Sequence, residues 1–226
     1  MFKNLAFITL LVLFVTTSCM KSKKNDTSNA PERPTESVIL DGKLDDWKTK
    51  TNYLKGLTDP WGTKAKDQTE FDYKLSDKYF YFYFKTTDST LTIPPFETER
   101  SVVYADRVEL FFSKTEDLKQ YYCFEVTPEE GILDYSAKHY REFDQDWDFK
   151  TLKVKAIIAG YNYTVEGQIS RRELNELGLS GDIYLGIFRA DYHNETDVNW
   201  YTKTIPDSAT PDFHIPSALG KVNLNY

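Results

Sequence analysis

Methionine, histidine and cysteine are scarce in this sequence, and each scarcity closes off a kind of chemistry. The only methionines among its 226 residues are Met1 and Met20. Both precede the region that reads as folded, which excludes a haem held by Met and His. The three histidines, His139, His193 and His214, lack the spacing of a zinc site, and His214 reads as structural. Two cysteines, Cys19 and Cys123, give no disulfide framework. No G-x-S-x-G nucleophile motif and no internal repeat occurs. Clustered basic charge is missing as well: 28 Lys and Arg stand against 35 Asp and Glu, a formal net charge of −7. A nucleic-acid partner needs the opposite balance.

The first residues, "MFKNLAFITLLVLFVTTSC", carry Lys3 and then an apolar run from Leu5 to Val15. That run is too short to span a bilayer and reads as a secretory signal. Thr16, Thr17 and Ser18 ahead of Cys19 resemble the lipobox of bacterial lipoproteins. The resemblance implies a signal peptide over 1–18, lipid attachment (palmitate included) at Cys19, and a membrane partner through that anchor, with an outer-membrane address. Residues 19–37 are polar with no aromatic side chain, the composition of a flexible tether. Cys123, in "YYCFEV", then has no partner and reads as an inert small hydrophobe.

Aromatic residues, by contrast, make up 15% of the chain. In "KYFYFYFKTTD", Tyr79, Tyr81 and Tyr83 alternate with Phe80, Phe82 and Phe84, so a strand places all Phe on one face and all Tyr on the other. The Phe face reads as core, and the Tyr face as packed beneath a neighbouring segment. "DRVELFFS" sets Val108, Leu110 and Phe112 against Arg107 and Glu109; "YYCFEV" sets Tyr122, Phe124 and Val126 against Cys123 and Glu125. One helix is signalled, in "SRRELNELGL", with Ser170 and Glu173 as a capping box and Gly178 near its end. Many short strands and one short helix predict an all-β domain over 38–226, an antiparallel β-sandwich of jelly-roll or immunoglobulin-like kind.

The order of motifs resembles the family 9 carbohydrate-binding modules and family 9-like bacterial lipoproteins. "VILDGKLDDW", "YKLSDKYFYFYFKTTD", "ADRVELFFS", "YYCFEVTPEEGILDY", "YTVEGQISRREL" and "DFHIPSALGKV" follow one another as that family's segments do. The resemblance implies a β-sandwich and a poly- or oligosaccharide partner, bound in a cleft between two aromatic walls with polar side chains between them. Trp200 matches the second wall. At the first, the sequence has Val103 and Tyr104 instead of Trp, leaving Tyr104, Trp61 or Trp147 to serve.

The carbohydrate-binding candidates are therefore Tyr104, Arg107, Glu109, Glu125, Arg189 and Trp200. Sugar rings offer apolar faces to aromatic side chains and hydroxyls to charged partners. The alternatives are a core role for Trp200 and a structural ion-pair cluster for the charged residues. No catalytic residue, metal ligand or cofactor is assigned. Structural calcium is considered at Asp144, Asp146 and Asp148, or over Asp41 to Asp46, although the Gly and distal Glu of a full calcium loop are missing. The function expected is non-catalytic glycan capture that aids glycan breakdown. The competing functions are a hydrolase of O-glycosyl bonds using Glu109 and Glu125, and a purely structural envelope protein.

Overall fold

The computed structural model describes residues 38–62, 68–194 and 196–225. The expected signal segment, Cys19 and most of the tether lie outside the described residues. The strands are β1 (Leu54–Lys55), β2 (Glu70–Leu75), β3 (Tyr79–Thr87), β4 (Arg107–Ser113), β5 (Tyr121–Val126) and β6 (Ile132–Lys138). There follow β7 (Glu142–Asp144), β8 (Lys153–Ala159), β9 (Asn162–Ser170), helix α1 (Arg171–Glu176), β10 (Asp182–Tyr192), β11 (Val198–Thr202) and β12 (Gly220–Asn223). Short 3₁₀ turns occupy Glu99–Tyr104 and Pro216–Ala218. Among the described residues no helix is long and apolar enough to cross a membrane.

Antiparallel pairing builds two sheets. One runs β1-β2-β3-β9-β8; the other runs β11-β10-β4-β5-β6-β7, with β12 also paired to β10. The period-two pattern decides how they meet. Phe80, Phe82 and Phe84 of β3 turn inward against Val108, Leu110, Phe112 and Phe124 of the second sheet. Ring centroids lie 5.6 Å apart for Phe80–Phe112 and 5.0 Å for Phe82–Phe124. The sandwich expected from the sequence is thus the observed fold.

Phe82 fits because its partner in register is Gly167, where a Cβ would stand 2.2 Å from the Phe82 ring. The Tyr face of β3 is closed by residues 38–47: Trp47 meets Tyr83 edge-on at 4.7 Å, and Val38 packs with Tyr81. Buried Glu166 pins this cover by accepting from Trp47 Nε1 at 2.7 Å and from the amides of Asp41 and Gly42. Gly42 sits at φ +79°, a conformation costly for other residues.

Helix α1 starts as predicted, Ser170 Oγ accepting from the Glu173 amide at 3.1 Å. The reciprocal half of the capping box does not form. The Ser170 amide donates instead to Thr151 Oγ1, and the Glu173 carboxylate accepts from the amides of Lys150 and Thr151. Glu173 anchors the preceding loop.

Candidate functional site

The second sheet has an outer face, which carries its own apolar cluster and a cleft. Alternation sends Arg107, Glu109 and Phe111 of β4 to that face, along with Cys123 and Glu125 of β5, Tyr135 of β6 and Trp200 of β11. The register sets Glu109 directly opposite Glu125. Two carboxylates in that position repel. Arg107 resolves the conflict: its Nε donates to Glu125 Oε2 at 2.6 Å and lies 2.9 Å from Glu109 Oε1. Its Nη1 donates to the Val103 and Ala105 carbonyls. Tyr135 Oη donates to the other Glu125 oxygen at 3.0 Å. Burial, and next the Glu125 charge, push the Glu109 carboxyl up to about 8, outweighing Arg107. Burial thus favours the protonated form of Glu109. Its Oε1 is enclosed and, although near Arg107, has no partner in hydrogen-bonding geometry.

Aromatic rings rise from this floor. Phe213 stacks on Phe188 at 4.1 Å and 10°, and Trp200 stands edge-on to Phe213 at 5.7 Å. The Phe188 ring lies back over Gly186, where a Cβ would approach to 2.4 Å. The Arg107 guanidinium is 5.4 Å from the Trp200 ring. On the β7 side Phe143 meets Tyr135 at 5.4 Å and His214 at 5.1 Å. Burial lowers the His214 pKa to about 3, helped by the nearby Arg141 charge, so the ring is neutral. It shares a hydrogen bond with Tyr121 Oη. At the rim Arg141 Nη2 and Tyr140 Oη both donate to Asp212, each at 2.7 Å. Arg100 and Gln145 complete the lining of a cleft of about 330 Å³. Stacking surfaces over a charged floor suit a ligand with apolar faces and polar edges.

Four of the six binding candidates meet here: Arg107, Glu109, Glu125 and Trp200. Tyr104 does not. It ends its 3₁₀ turn 57% exposed, and its neighbour Val103 lines the cleft instead. Arg189 is the larger correction. It faces between the sheets, paired with Asp88 at 2.8 Å and Asp191 at 3.1 Å. In β10 it shares parity with Ile183, Leu185 and Ile187, all inward-facing. That alternation was legible and gave the opposite face from Arg107. Neither alternative Trp supplies a wall: Trp61 packs at the side of Phe213, donating to the Ser208 carbonyl, and Trp147 packs on Tyr122 and Phe149.

Sequence reasoning missed Tyr135, Phe143, Phe213, Arg141 and Asp212 as cleft residues. Tyr135 was recoverable from the β6 alternation. The others sit on irregular segments or a three-residue strand, where periodicity carries no signal.

The acidic candidates are spread out. Asp148 joins Glu99 and Asp134, their oxygens within 4.8 Å of one another, while Asp144 lies on β7 and Asp146 lines a neighbouring hollow. Asp134 also accepts from the Phe149 amide, and burial with its acidic neighbours raises its carboxyl to about 6. Asp41 and Asp46 accept backbone amides at Lys43 and Ile39. Cys123 is enclosed, and burial raises its thiol well above the usual range, as inertness requires.

Three solved structures share this fold. A provisionally assigned carbohydrate-binding protein from Bacteroides uniformis ATCC 8492 superposes with a TM-score of 0.63 at 14% identity, covering 75% of this chain and 84% of that one. A carbohydrate-binding module of family 9 from Caldicellulosiruptor kristjanssonii, in complex with glucose, gives 0.58 at 15% identity, over 84% of this chain and 92% of its own. The family 9 module from that organism in complex with cellotriose gives 0.56 at 15%, over 83% and 89%. No protein-family profile matches the sequence, and no curated protein does.

Proposed function

We propose that this chain is a non-catalytic saccharide-binding protein that holds a poly- or oligosaccharide in the cleft beside Trp200, aiding glycan capture or breakdown by other proteins. The observation that carries this reading is the combination at one place of Trp200 and Phe213, Phe143 on the other side, and the Arg107–Glu109–Glu125 group beneath. A sugar ring stacks on such rings and directs its hydroxyls at such a floor. The shared fold with modules solved with glucose and cellotriose supports the same ligand class.

The geometry speaks against the glycosidase alternative. Glycosidase acids flank a scissile bond, separated by about 5–5.5 Å or more with the sugar between them. Here Glu109 and Glu125 both contact one Arg107 nitrogen, at 2.9 and 2.6 Å. A guanidinium occupies the space where the bond would lie.

Lipid attachment at Cys19 and an outer-membrane address belong to the same proposal, resting on the sequence pattern alone. A glycan array with the full chain, run beside a reducing-sugar release assay, tests the function. Binding without release is expected. Release that stops in Glu109→Gln or Glu125→Gln would overturn it.

A further inference from the structure

The cleft is rich in hydrogen-bond donors and poor in free acceptors. Two of its carboxyl groups are already engaged: Glu125 by Arg107 and Tyr135, Asp212 by Arg141, Tyr140 and the His214 amide. The Glu109 side chain is 2% exposed and ends in an oxygen with no hydrogen-bond partner. Arg100 lines the mouth with an exposed guanidinium, and among the described residues no carboxylate pairs with it. A neutral sugar hydroxyl needs an acceptor for its proton. A carboxylate needs only donors, and guanidinium groups recognise it in a planar fork.

Resting on the saccharide-binding reading above, we propose that the cleft selects an acidic saccharide, a uronic acid residue, over its neutral counterpart. The ring stacks beside Trp200, and Arg100 receives the carboxylate. Among the described residues Arg100 is the one cleft guanidinium with no carboxylate partner, so one anionic substituent is the natural complement. Arg100 also borders the neighbouring hollow that holds Glu99, Asp146 and Asp148, so the carboxylate must approach it from the Trp200 side, and a second anion there is repelled.

The test is calorimetric titration of the full chain with three matched pairs: glucuronate and glucose, galacturonate and galactose, mannuronate and mannose. At least one uronate is expected to bind about tenfold more tightly than its neutral partner, the scale of one charge-assisted contact. That preference should vanish in Arg100→Gln, an exposed change that leaves the fold intact, and should shrink at high salt. Equal binding within every pair, unchanged in Arg100→Gln, overturns the acidic preference and leaves the saccharide reading standing. Binding of none of the six also overturns it, and the glycan array then decides the broader reading separately. Acetate displacing a uronate at equal concentration, or a 6-sulfated sugar matching it, assigns the site to anions in general and rejects the uronate.

Discussion

At the scale of single residues, buried charged groups divide between those that pair inside the sandwich and those on the floor of the cleft proposed to hold a ligand. Arg189 shows the first use. It is fully buried, and its carboxylate partners Asp88 and Asp191 are buried with it. Removing one member of such a group strands the others, at a cost of about 3–5 kcal/mol. Arg189→Ala should therefore lower stability by that amount in urea unfolding while the folded fraction binds glycan normally. A selective binding defect in a fully stable variant would return Arg189 to the cleft. Glu109 shows the second use. Its folded-state carboxyl is raised to about 8 from an ordinary 4.5, so folding takes up a proton between those values. Stability from this group is greatest below the unfolded pKa and falls as pH rises through the folded one. Its charged neighbours are Arg107 on its own strand and Glu125 on β5, with Tyr135 reaching in from β6. Glutamine mimics the protonated acid. Glu109→Gln should match wild type near pH 4 and exceed it in stability by pH 8; equal stabilities at both would show that no proton is held there.

At the scale of elements, alternation decided how much the sequence revealed. The strands with clear period two, β3, β4 and β5, were legible with their faces, and so Arg107, Glu109 and Glu125 were assigned to one side. The same rule applied to β10 separates Arg189 from them. What stayed illegible came from irregular chain. Residues 211–214 cross the outer face of the second sheet and deliver Asp212, Phe213 and His214 by tertiary contacts with Phe188, Phe111 and Tyr121. No local periodicity encodes that placement. Across the cleft from Trp200, where the family resemblance leads one to expect a Trp, this chain places Phe143 and Tyr135 from β7 and β6. Strand β9 offers a direct test of the register. Gly167→Ala would put a methyl 2.2 Å from the Phe82 ring. Overpacking of this kind costs about 1–3 kcal/mol, so a drop in urea midpoint at unchanged slope is expected. An unaffected midpoint would mean that Phe82 does not lie across β9.

At the scale of the whole molecule, buried acids set the response to pH. Besides Glu109, burial raises Asp106 to about 7, against amide donation from Thr92 and Tyr192, and Asp134 to about 6. Each raised carboxyl contributes stability that is lost as pH rises from about 4 through its folded value. His214, held neutral in the fold, works in the opposite sense below about pH 6.5, but as one group against three; the melting temperature should therefore be higher at pH 5.5 than at pH 8.5, and the reverse order would contradict these assignments. The central claim, that the Trp200 cleft is a saccharide site, meets its most direct test in Trp200→Ala. Calorimetric titration with a glycan that the array identifies should be paired with a thermal melt of the same sample. Trp200 is only partly buried, so a ligand wall loses about tenfold or more in affinity, the scale of one stacking contact, with the melting temperature nearly unchanged. A core Trp would cost about 3–5 kcal/mol of stability instead. A folded Trp200→Ala chain that binds its glycan as wild type does would contradict the account.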